Sequence, residues 1–312
     1  MRKNISVIIP VKNEEKKIVN CLNAIFLQTL QPFEVIVVDG NSTDNTVKNA
    51  RQFPVKIVFE NYGTIGGARQ IGIEHAQGNL IAFTDADCVP RSDWLENLSK
   101  NFSEDLKGIG GGIRNIGDSL WEKTIFLVFD SFLGSGGSVQ DRVFANKKMV
   151  RSLSGCNAMY RTDDLKNIGG FNIKLAINED TDLSTRLRKS GNLLYIPEAE
   201  VLHDQSLNLK EFAKRNYTFG FGRAYNHLWD IQMIPPLLAV MVLMFAFLNL
   251  QFFYFMIFLY VIILIGYDFI IVFKKKKGIF LLTIPIVFII QHVSYSFGFW
   301  AGIFSNMVSI KR

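Results

Sequence analysis

The sequence predicts an α/β protein with a mostly parallel sheet flanked by helices, followed by membrane helices. Three observations carry this prediction. Apolar runs with strand character alternate with helical patterns as far as Thr84, a pair of aspartates directly follows the fourth run, and the 43 residues of 231–273 include one formally charged side chain. Alternating strands and helices favour parallel pairing through right-handed crossovers. An apolar segment of that length exceeds what a helix in a soluble core needs.

Four short apolar runs predict buried strands, with three helical patterns between them. In the first helix Ile18, Leu22 and Ile25 recur at helical spacing. The predicted strands are Ile5–Ile9, ended by Pro10; Glu34–Val38, ending at Asp39; Val55–Phe59; and Leu80–Thr84. The predicted helices begin at Asn13–Glu15, after the turn Gly40–Asp44, and after the glycine-rich turn Gly63–Gly67, the last of them running to His75.

The glycine-rich segment Gly63–Gly72 does not match a dinucleotide-binding fingerprint. That fingerprint should follow the first strand, where this chain has Pro10–Glu14, without glycine. A nicotinamide enzyme is therefore not expected. An anion site at the N-terminus of this helix is still compatible with the sequence, with Arg69 in its first turn.

The apolar segment 231–273 predicts a transmembrane helical hairpin. As one helix its 43 residues would reach about 64 Å, roughly twice the hydrocarbon core of a bilayer. Asn249–Gln251 offers a polar turn between two spans, and Pro235–Pro236 suits a first helical turn. A third apolar stretch, 279–307, contains polar residues and either spans or lies at the interface. Its Gly298 and Gly302 are spaced for close helix packing.

Charge predicts the orientation of these segments. Lys274–Lys277 follow the hairpin, and the positive-inside rule places them in the cytoplasm. Two spans return the chain to its starting side, so we expect residues 1–230 to form a cytoplasmic domain of a multi-pass protein of the cell membrane. The net charge of +6 then indicates attraction to anionic lipids. Nucleic-acid binding is not predicted, because no motif for it is present.

Carboxylates at the ends of predicted strands indicate a cation site. If the pleat persists, Asp85 and Asp87 point to the same face, where their repulsion calls for a positive partner. Hard divalent cations, Mg²⁺ or Mn²⁺, prefer such oxygen ligands. Asp39 ends another strand on the same edge, where open α/β sheets bind ligands. The competing interpretation of each aspartate is a surface turn or a helix cap. The acidic run Asn178–Asp182 before a predicted helix, Leu183–Lys189, is by itself typical of a helix N-terminus.

Three cysteines, widely separated and odd in number, fit a reducing compartment. Their spacing matches no thiolate metal site, and we expect all three to be small buried hydrophobic residues. They are Cys21, Cys88 and Cys156.

Seven segments, taken in order over roughly residues 4–225, resemble the family 2 glycosyltransferases of the GT-A fold. They are Val7–Glu14, Val37–Asp44, Ala68–Ile73, Gly78–Asp87, Ser154–Arg161, Gly169–Phe171 and Glu179–Ser184. The resemblance implies a metal-dependent, inverting transfer from a UDP- or GDP-sugar to a membrane lipid-linked acceptor. That acceptor would be polyprenyl or dolichyl phosphate, or a lipid-linked glycan. The cofactor would be Mg²⁺ or Mn²⁺.

The resemblance also implies residue roles. Pro10, Asn13, Glu14 and Asp39 would line the nucleotide pocket, with Asp39 on the base and Arg69 near the nucleotide or its phosphates. Asp85 would touch ribose or metal, Asp87 would ligate the metal, and His203 would be a third ligand or a diphosphate contact. Asp180 would be the general base, with Glu179 as the competing candidate, and Gly155 and Asn157 would border the acceptor.

Two departures from the family pattern refine the prediction. Gly40 follows Asp39 where a second acid is common, so the base preference is open. The Gln-Gln-x-Arg-Trp signature of processive synthases is absent, which favours transfer of a single sugar. The alternatives are a catalytically silent membrane scaffold of the same fold that binds nucleotide, and, less favoured, a transporter subunit.

Overall fold

The chain forms two compact units in a computed structural model that describes residues 4–275 and 278–309. The first unit comprises the chain up to Ile116 together with Ser138–Gln205, and the second comprises Gly117–Gly137 and the chain from Ser206 onward. Lys276 and Lys277 of the basic run lie outside the described residues. The division into domains at 230, 273 and 279 stays a prediction.

From residue 4 onward, the described part of the first unit contains a nine-stranded sheet and six helices. The strands are β1 (Ile5–Val11), β2 (Glu34–Asp39), β3 (Lys56–Phe59), β4 (Leu80–Thr84), β5 (Cys88–Pro90), β6 (Leu106–Ile116), β7 (Lys148–Val150), β8 (Asn157–Arg161) and β9 (Asn192–Asp204). The helices are α1 (Ile18–Phe26), α2 (Thr46–Ala50), α3 (Ile65–His75), α4 (Trp94–Asn101), α7 (Thr162–Asn167) and α8 (Glu179–Leu187).

The sheet has the order β3-β2-β1-β4-β8-β6-β9-β5, and β7 pairs with β9. Its first four strands are parallel, as the strand–helix alternation predicts. The remainder is mixed, because β8 runs antiparallel to both β4 and β6 while β9 runs parallel to β6. The predicted parallel pairing is therefore confirmed for β1–β4, and the second half of the sheet adds the antiparallel strands.

Pro10 does not end the first strand, contrary to the sequence prediction. β1 continues to Val11, with Pro10 opposite Val38 of β2. The pairing of β1 with β4 stops at Ile8, so the N–H that proline lacks is not needed on that side. The strand thus delivers Pro10 and Val11 to the carboxyl edge of the sheet.

A bulge interrupts the pairing of β6 with β9. The register jumps from Gly111 opposite Ile196 to Ile113 opposite Val201. A Cβ on Gly111 would lie 1.6 Å from the carbonyl oxygen of Ala199, so only glycine fits there.

Apolar side chains cover both faces of the sheet. One cluster includes Ile18 and Leu22 of α1 and Trp94 of α4, and a second includes Ile73 of α3 and Leu183 of α8. All five are at most 2% exposed. Burying each such side chain contributes about 1.5–3 kcal/mol. The two layers hold the loops at the carboxyl ends of β1, β2 and β4 in place.

The second unit is helical. Its helices are α5 (Leu120–Phe129), α6 (Phe132–Ser135), α9 (Leu209–Tyr225), α10 (Ile234–Leu248), α11 (Leu250–Lys275) and α12 (Ile284–Ser309), with short 3₁₀ helices at Ile231–Met233 and Gly278–Leu282. Among the residues that the structure describes, three segments are long and apolar enough to cross a membrane: Ile231–Leu248, Leu250–Phe273 and Ile284–Met307. The helical hairpin is interrupted at Asn249, within the predicted turn, where α10 ends and α11 begins. Proline occupies the first turn of α10, as predicted.

Glycines allow α12 to pack closely against α9. A Cβ on Gly298 would lie 1.9 Å from the carbonyl oxygen of Tyr217, and one on Gly302 would lie 2.5 Å from that of Phe221. Gly220 makes the matching approach from α9, because a Cβ on it would lie 2.1 Å from the Tyr295 carbonyl oxygen. The predicted close-packing role of Gly298 and Gly302 is confirmed.

Candidate active site

A cavity of about 290 Å³ opens at the carboxyl ends of β1, β2 and β4 in the first unit. Its lining is acidic at several points and contains both aspartates of the predicted cation site. It is lined by Pro10, Val11, Lys12, Glu14, Gly40, Glu60, Gly63, Thr64, Ile65, Ala68, Asp85, Ala86 and Asp87. The strand-end edge predicted from sequence is thus a concave site.

Asp85 and Asp87 lie in a tight turn rather than on a continued strand. β4 ends at Thr84, and the N–H of Cys88 donates to the Asp85 carbonyl oxygen at 3.0 Å. The alternation of side chains along a strand therefore does not decide where Asp85 and Asp87 point. The turn brings both carboxylates to the same cavity wall.

His203 contacts Asp87 from β9. Antiparallel pairing places Cys88 opposite His203, and His203 Nε2 lies 3.2 Å from Asp87 Oδ2. Burial opposes protonation of His203, but its contacts with Asp141 and Asp87 outweigh this and raise its pKa well above the ordinary value. Burial likewise opposes ionisation of Asp87, yet the His203 hydrogen bond leaves the pKa of Asp87 lowered. His203 therefore holds Asp87 in its ionised form.

The second nitrogen of His203 is engaged as well. Nδ1 lies 2.5 Å from Gln205 Nε2 and 3.5 Å from Asp141 Oδ1. Both ring nitrogens thus contact protein groups, and in this arrangement His203 positions a carboxylate. His203 lies beside Asp87, and its expected role as a third metal ligand or diphosphate contact stays a prediction.

Arg69 joins the two acidic parts of the site. Its guanidinium is 3% exposed, lies 2.9 Å from Asp85 Oδ1, and pairs with Glu179 of α8. Two carboxylates, Asp85 and Glu179, thus balance the charge of Arg69. Its expected approach to the nucleotide or its phosphates stays a prediction. A fully buried cation is tolerable only with such partners.

The first turn of α8 supplies the carboxylates of Glu179 and Asp180. Burial raises the pKa of Glu179 to about 7, an effect that Arg69 reduces and Asp180 reinforces. Asp180 Oδ1 accepts the N–H of Thr181 at 2.6 Å, and its Oδ2 accepts the N–H of Gly155 at 3.2 Å. Glu179 thus pairs with Arg69 and Asp180 with Gly155, and the choice between the two acids as general base stays a prediction.

Gln140 is a site residue that the sequence prediction missed. Its Nε2 donates to Asp180 Oδ2 at 2.5 Å. Its neighbour Asp141 contacts His203. A single loop segment therefore touches both the candidate base and the histidine beside the cation site. No motif marks Gln140, since its role depends on a contact 40 residues away.

Asp39 does not line the cavity. It is fully buried, and its two oxygens accept the hydroxyl of Ser42 at 2.6 Å and the N–H of Ser42 at 2.9 Å. Asp39 thus shapes the loop that follows β2, and its expected contact with the base stays a prediction. An acid with serine three residues later is a known turn pattern, so the sequence held this signal.

The other predicted nucleotide residues divide into two kinds. Pro10 and Glu14 line the cavity, as expected. Asn13 adopts a positive φ of 56° and joins two loops, because its Oδ1 accepts the N–H of Thr43 at 2.8 Å. Its structural task is to fix the loop that follows β1.

Gly155 and Asn157, which the resemblance places beside the acceptor, both have close contacts within the protein. A Cβ on Gly155 would lie 2.4 Å from the Arg69 guanidinium, so glycine is needed where the acids meet. Asn157 is 1% exposed, accepts the Trp94 indole N–H at 2.8 Å, and donates to the carbonyls of Gly112 and Ala199. Asn157 therefore bridges the two strands at the β6–β9 bulge, and its assignment to the acceptor side stays a prediction.

The structure brings two of the cysteines together. Cys88, Cys156 and His203 have ligand atoms within 4.8 Å of one another. All three cysteines are free and buried, as expected. Burial raises the pKa of the Cys88 thiol well above its ordinary value, which favours its behaviour as a small hydrophobic residue.

The comparisons with known proteins identify the family. A family model described as glycosyl transferase family 2 matches residues 6–169, more than half of the 312 residues. The chain belongs to glycosyl transferase family 2. It is therefore a glycosyltransferase, and the resemblance stated from sequence is confirmed.

Two relatives of this glycosyltransferase cover most of its length. Glycosyltransferase AglE of Haloferax volcanii is 30% identical over 247 residues, which cover 74% of this chain and 75% of that protein. A Methanococcus voltae protein is 25% identical over 334 residues, covering 98% of this chain and 99% of the relative. Its name is dolichyl N-acetyl-alpha-D-glucosaminyl phosphate 3-beta-D-2,3-diacetamido-2,3-dideoxy-beta-D-glucuronosyltransferase.

Solved structures confirm the GT-A fold of this glycosyltransferase. The mannosyltransferase PcManGT of Pyrobaculum calidifontis, in complex with GDP-Man and Mn²⁺, aligns with a TM-score of 0.58 at 18% identity, over 95% of this chain and 87% of that chain. S. aureus TarS 1–349 in complex with UDP-GlcNAc aligns at 0.51 and 19% identity. That alignment covers 70% of this chain and 66% of TarS 1–349, just under two thirds of its length.

Proposed function

We propose that the chain is a metal-dependent, inverting glycosyltransferase. It moves one sugar from a nucleotide-diphosphate sugar to a membrane lipid-linked acceptor, either polyprenyl or dolichyl phosphate or a lipid-linked glycan. The observation that carries the proposal is the convergence of carboxylates around Arg69. Asp85 at the cavity wall and Glu179 on α8 contact the same guanidinium, with Asp180 next in sequence.

The donor set at the cavity wall fits a hard divalent cation. Asp85 and Asp87 offer carboxylate oxygens, which suit Mg²⁺ or Mn²⁺. Asp87 has a lowered pKa and is ready to bind a cation at neutral pH. A bound cation would neutralise the charge that develops on the nucleoside diphosphate as it leaves. The structural neighbour PcManGT, solved with Mn²⁺, supports this assignment.

The chain's own residues have three tasks in the reaction. Pro10 and Glu14 hold the donor at the cavity. Arg69 fixes the position of Asp85 relative to α8. Asp180 accepts the proton of an acceptor hydroxyl as that oxygen attacks the anomeric carbon from the face opposite the diphosphate, which inverts the configuration. An acceptor phosphate is already anionic and needs the base less.

The membrane segments support a lipid-linked acceptor. Three helices are long and apolar enough to cross a bilayer, and the Methanococcus voltae relative is named for a dolichyl phosphate-linked substrate. With the basic residues after the hairpin facing the cytoplasm, the catalytic unit is on the cytoplasmic side. Transfer of a single sugar follows from the missing processive signature.

The test is transfer by the purified full-length chain in detergent. A panel of UDP- and GDP-sugars is incubated with a membrane lipid extract and Mn²⁺ or Mg²⁺, with and without a chelator. We expect one donor to label lipid, with loss of labelling on chelation. Absence of transfer with every donor, together with metal-independent nucleotide binding, would favour a catalytically silent scaffold.

A further inference from the structure

The helix α12 lies across the open end of the hairpin that α10 and α11 form, the end opposite the turn at Asn249. Near the start of α12, the ring of Phe288 packs 6.0 Å from that of Tyr267, in the C-terminal part of α11. About three turns further on, the indole N–H of Trp300 donates to the carbonyl oxygen of Pro236 at 3.0 Å. Pro236 belongs to the first turn of α10. The helix α12 therefore joins the end of α11 to the beginning of α10.

A membrane-spanning α12 would not make the contact with α10. The rise from Ile284 to Trp300 is about 24 Å, which would carry Trp300 most of the way through a hydrocarbon core of about 30 Å. At that depth its neighbour would be the hairpin turn at Asn249, on the far side of the membrane from Pro236. The observed hydrogen bond instead keeps Trp300 on the side where the hairpin begins and ends.

The packing of α9 against α12 leads to the same conclusion. The two helices run parallel, because Gly298 packs against the backbone of Tyr217 and, two turns on, Asn306 donates to the carbonyl oxygen of Tyr225 at 3.1 Å. By this register the exposed Lys214 of α9 is level with the middle of the apolar segment of α12. A charged side chain at the centre of a bilayer costs about 2.5–3.5 kcal/mol on insertion scales. At the membrane surface the same side chain reaches water and anionic headgroups.

One face of α12 is exposed and apolar. Its side chains recur at intervals of three, four and seven residues, which is helical spacing, and they are 43–69% exposed. At 3.6 residues per turn this stripe is opposite Gly298 and Gly302, which face α9. An apolar stripe on one side and a charged helix on the other are typical of a helix that lies in the plane of a membrane surface. The stripe consists of Ile286, Ile289, Val293, Phe297, Phe304 and Met307.

We propose that α12 lies along the membrane interface, at the end of the hairpin where the chain enters and leaves the bilayer. The partner of the stripe is lipid, because α12 is bonded directly to the first turn of the apolar hairpin. The stripe is buried among the headgroups and first acyl carbons, which sets α9 and its basic side chains at headgroup level. The chain then ends on the side of the membrane from which α10 starts. This goes beyond the proposed function and rests on the predicted hairpin alone.

Accessibility of single introduced cysteines tests the side on which the chain ends. The full chain carries either Leu250→Cys, beside the hairpin turn, or one cysteine appended after Arg312. Sealed membrane vesicles of each orientation are treated with a membrane-impermeant maleimide, and the buried native cysteines keep the background low. We expect the two introduced cysteines to react in vesicles of opposite orientation. Reaction of both in the same orientation overturns the proposal.

Depth measurements test the position of the stripe. A nitroxide is attached to Phe297→Cys of α12 and, as the matched control, to Ile262→Cys in the middle of Leu250–Phe273. Both side chains are exposed, at 69% and 49%, so we expect both variants to fold, which melting curves check. Electron paramagnetic resonance with oxygen and a polar nickel complex gives each depth. The label at position 297 should lie about 5–10 Å below the headgroups, and the label at position 262 near the bilayer centre.

Two outcomes of the depth measurement overturn the proposal. Equal depths of the two labels would show that α12 crosses the membrane beside the hairpin. A label at position 297 that lipid-soluble oxygen does not reach would show that protein, such as a second copy of this chain, covers the stripe. Neither measurement depends on sugar transfer, which is assayed on the same preparations, so failure here leaves the proposed function standing.

Discussion

The two units place apolar side chains in opposite environments. In β4 every residue of Leu80–Thr84 is at most 6% exposed, whereas Phe247 and Leu248 at the end of α10 are 90% and 73% exposed. The sheet unit hides its apolar residues behind helices on both faces. The helical unit exposes apolar side chains along segments that are long enough to cross a bilayer. A polar substitution of an exposed apolar side chain should therefore be tolerated in the sheet unit and should oppose membrane insertion in the helical unit.

The largest effect is expected at the cation site of the sheet unit. Asp87→Asn should reduce transfer by about 10²–10³-fold, because it removes a charged ligand where the leaving diphosphate is stabilised. Asp163→Asn, on an exposed helix of the same unit, is the control. Initial rates and melting curves are measured for both variants. Full activity of Asp87→Asn would contradict the cation site.

A large loss of stability is expected where α9 and α12 meet. Gly298→Leu should cost about 3 kcal/mol or more, since its Cβ would overlap the Tyr217 carbonyl. Gly266→Leu on α11 is the matched control, because nothing lies within 4 Å of a Cβ there. Thermal unfolding in detergent is the measurement. Equal melting temperatures of the two variants would refute the close packing.

Two leucines of high exposure test the contrast between the units directly. Leu243 of α10 is 59% exposed and Leu27 of the sheet unit is 74% exposed. Leu243→Asp should make the free energy of membrane insertion less favourable by about 2.5–3.5 kcal/mol. Leu27→Asp should leave insertion unchanged, because the side chain of Leu27 is already in contact with water. Carbonate extraction of membranes gives the inserted fraction. Equal insertion of both variants would show that α10 does not lie in lipid.

A smaller effect is expected at Gln140. Gln140→Ala removes the donor from Asp180 Oδ2 and should lower kcat/KM for the acceptor by about 10-fold or more. The KM of the nucleotide sugar should not change, because Gln140 does not line the cavity. Measuring kcat and KM separately for the acceptor and for the nucleotide sugar distinguishes the loss of this contact from general destabilisation, which would change the parameters of both substrates.

The smallest effect concerns pH. Glu179 has its pKa raised from 4.5 to about 7, so between these values the unfolded chain loses its proton first and stability falls as pH rises. Glu179→Gln should flatten that part of the dependence. Melting temperatures between pH 4.5 and 8 give the slope for each form. A slope unchanged by the substitution would locate the titrating group elsewhere.

Regular elements and local motifs were predictable from the sequence. β4 has the predicted bounds, and the glycines of α12 pack as their spacing indicates, because periodicity and small size report directly on local geometry. The aspartate pair lies at the cavity for the same reason: a strand end fixes where the next residues emerge.

Side-chain partners across the sheet were not predictable. Arg69 and Asn157 each have partners that are distant in sequence. The antiparallel pairing of β8 with β4, which sets Thr84 opposite Asn157, brings Cys156 near Cys88. Such contacts depend on strand order, and a single chain's pattern does not state which distant strands become neighbours.

The one-residue break at Asn249 joins helices of unequal length. The apolar segment before the break, Ile231–Leu248, has 18 residues and would rise about 27 Å as a helix, whereas Leu250–Phe273 has 24 and rises about 36 Å. The hydrocarbon core is roughly 30 Å thick. No single bilayer thickness matches both arms. In a membrane the longer arm tilts or the lipid thins beside the shorter one, so the hairpin carries a thickness mismatch that would make its surroundings sensitive to lipid chain length.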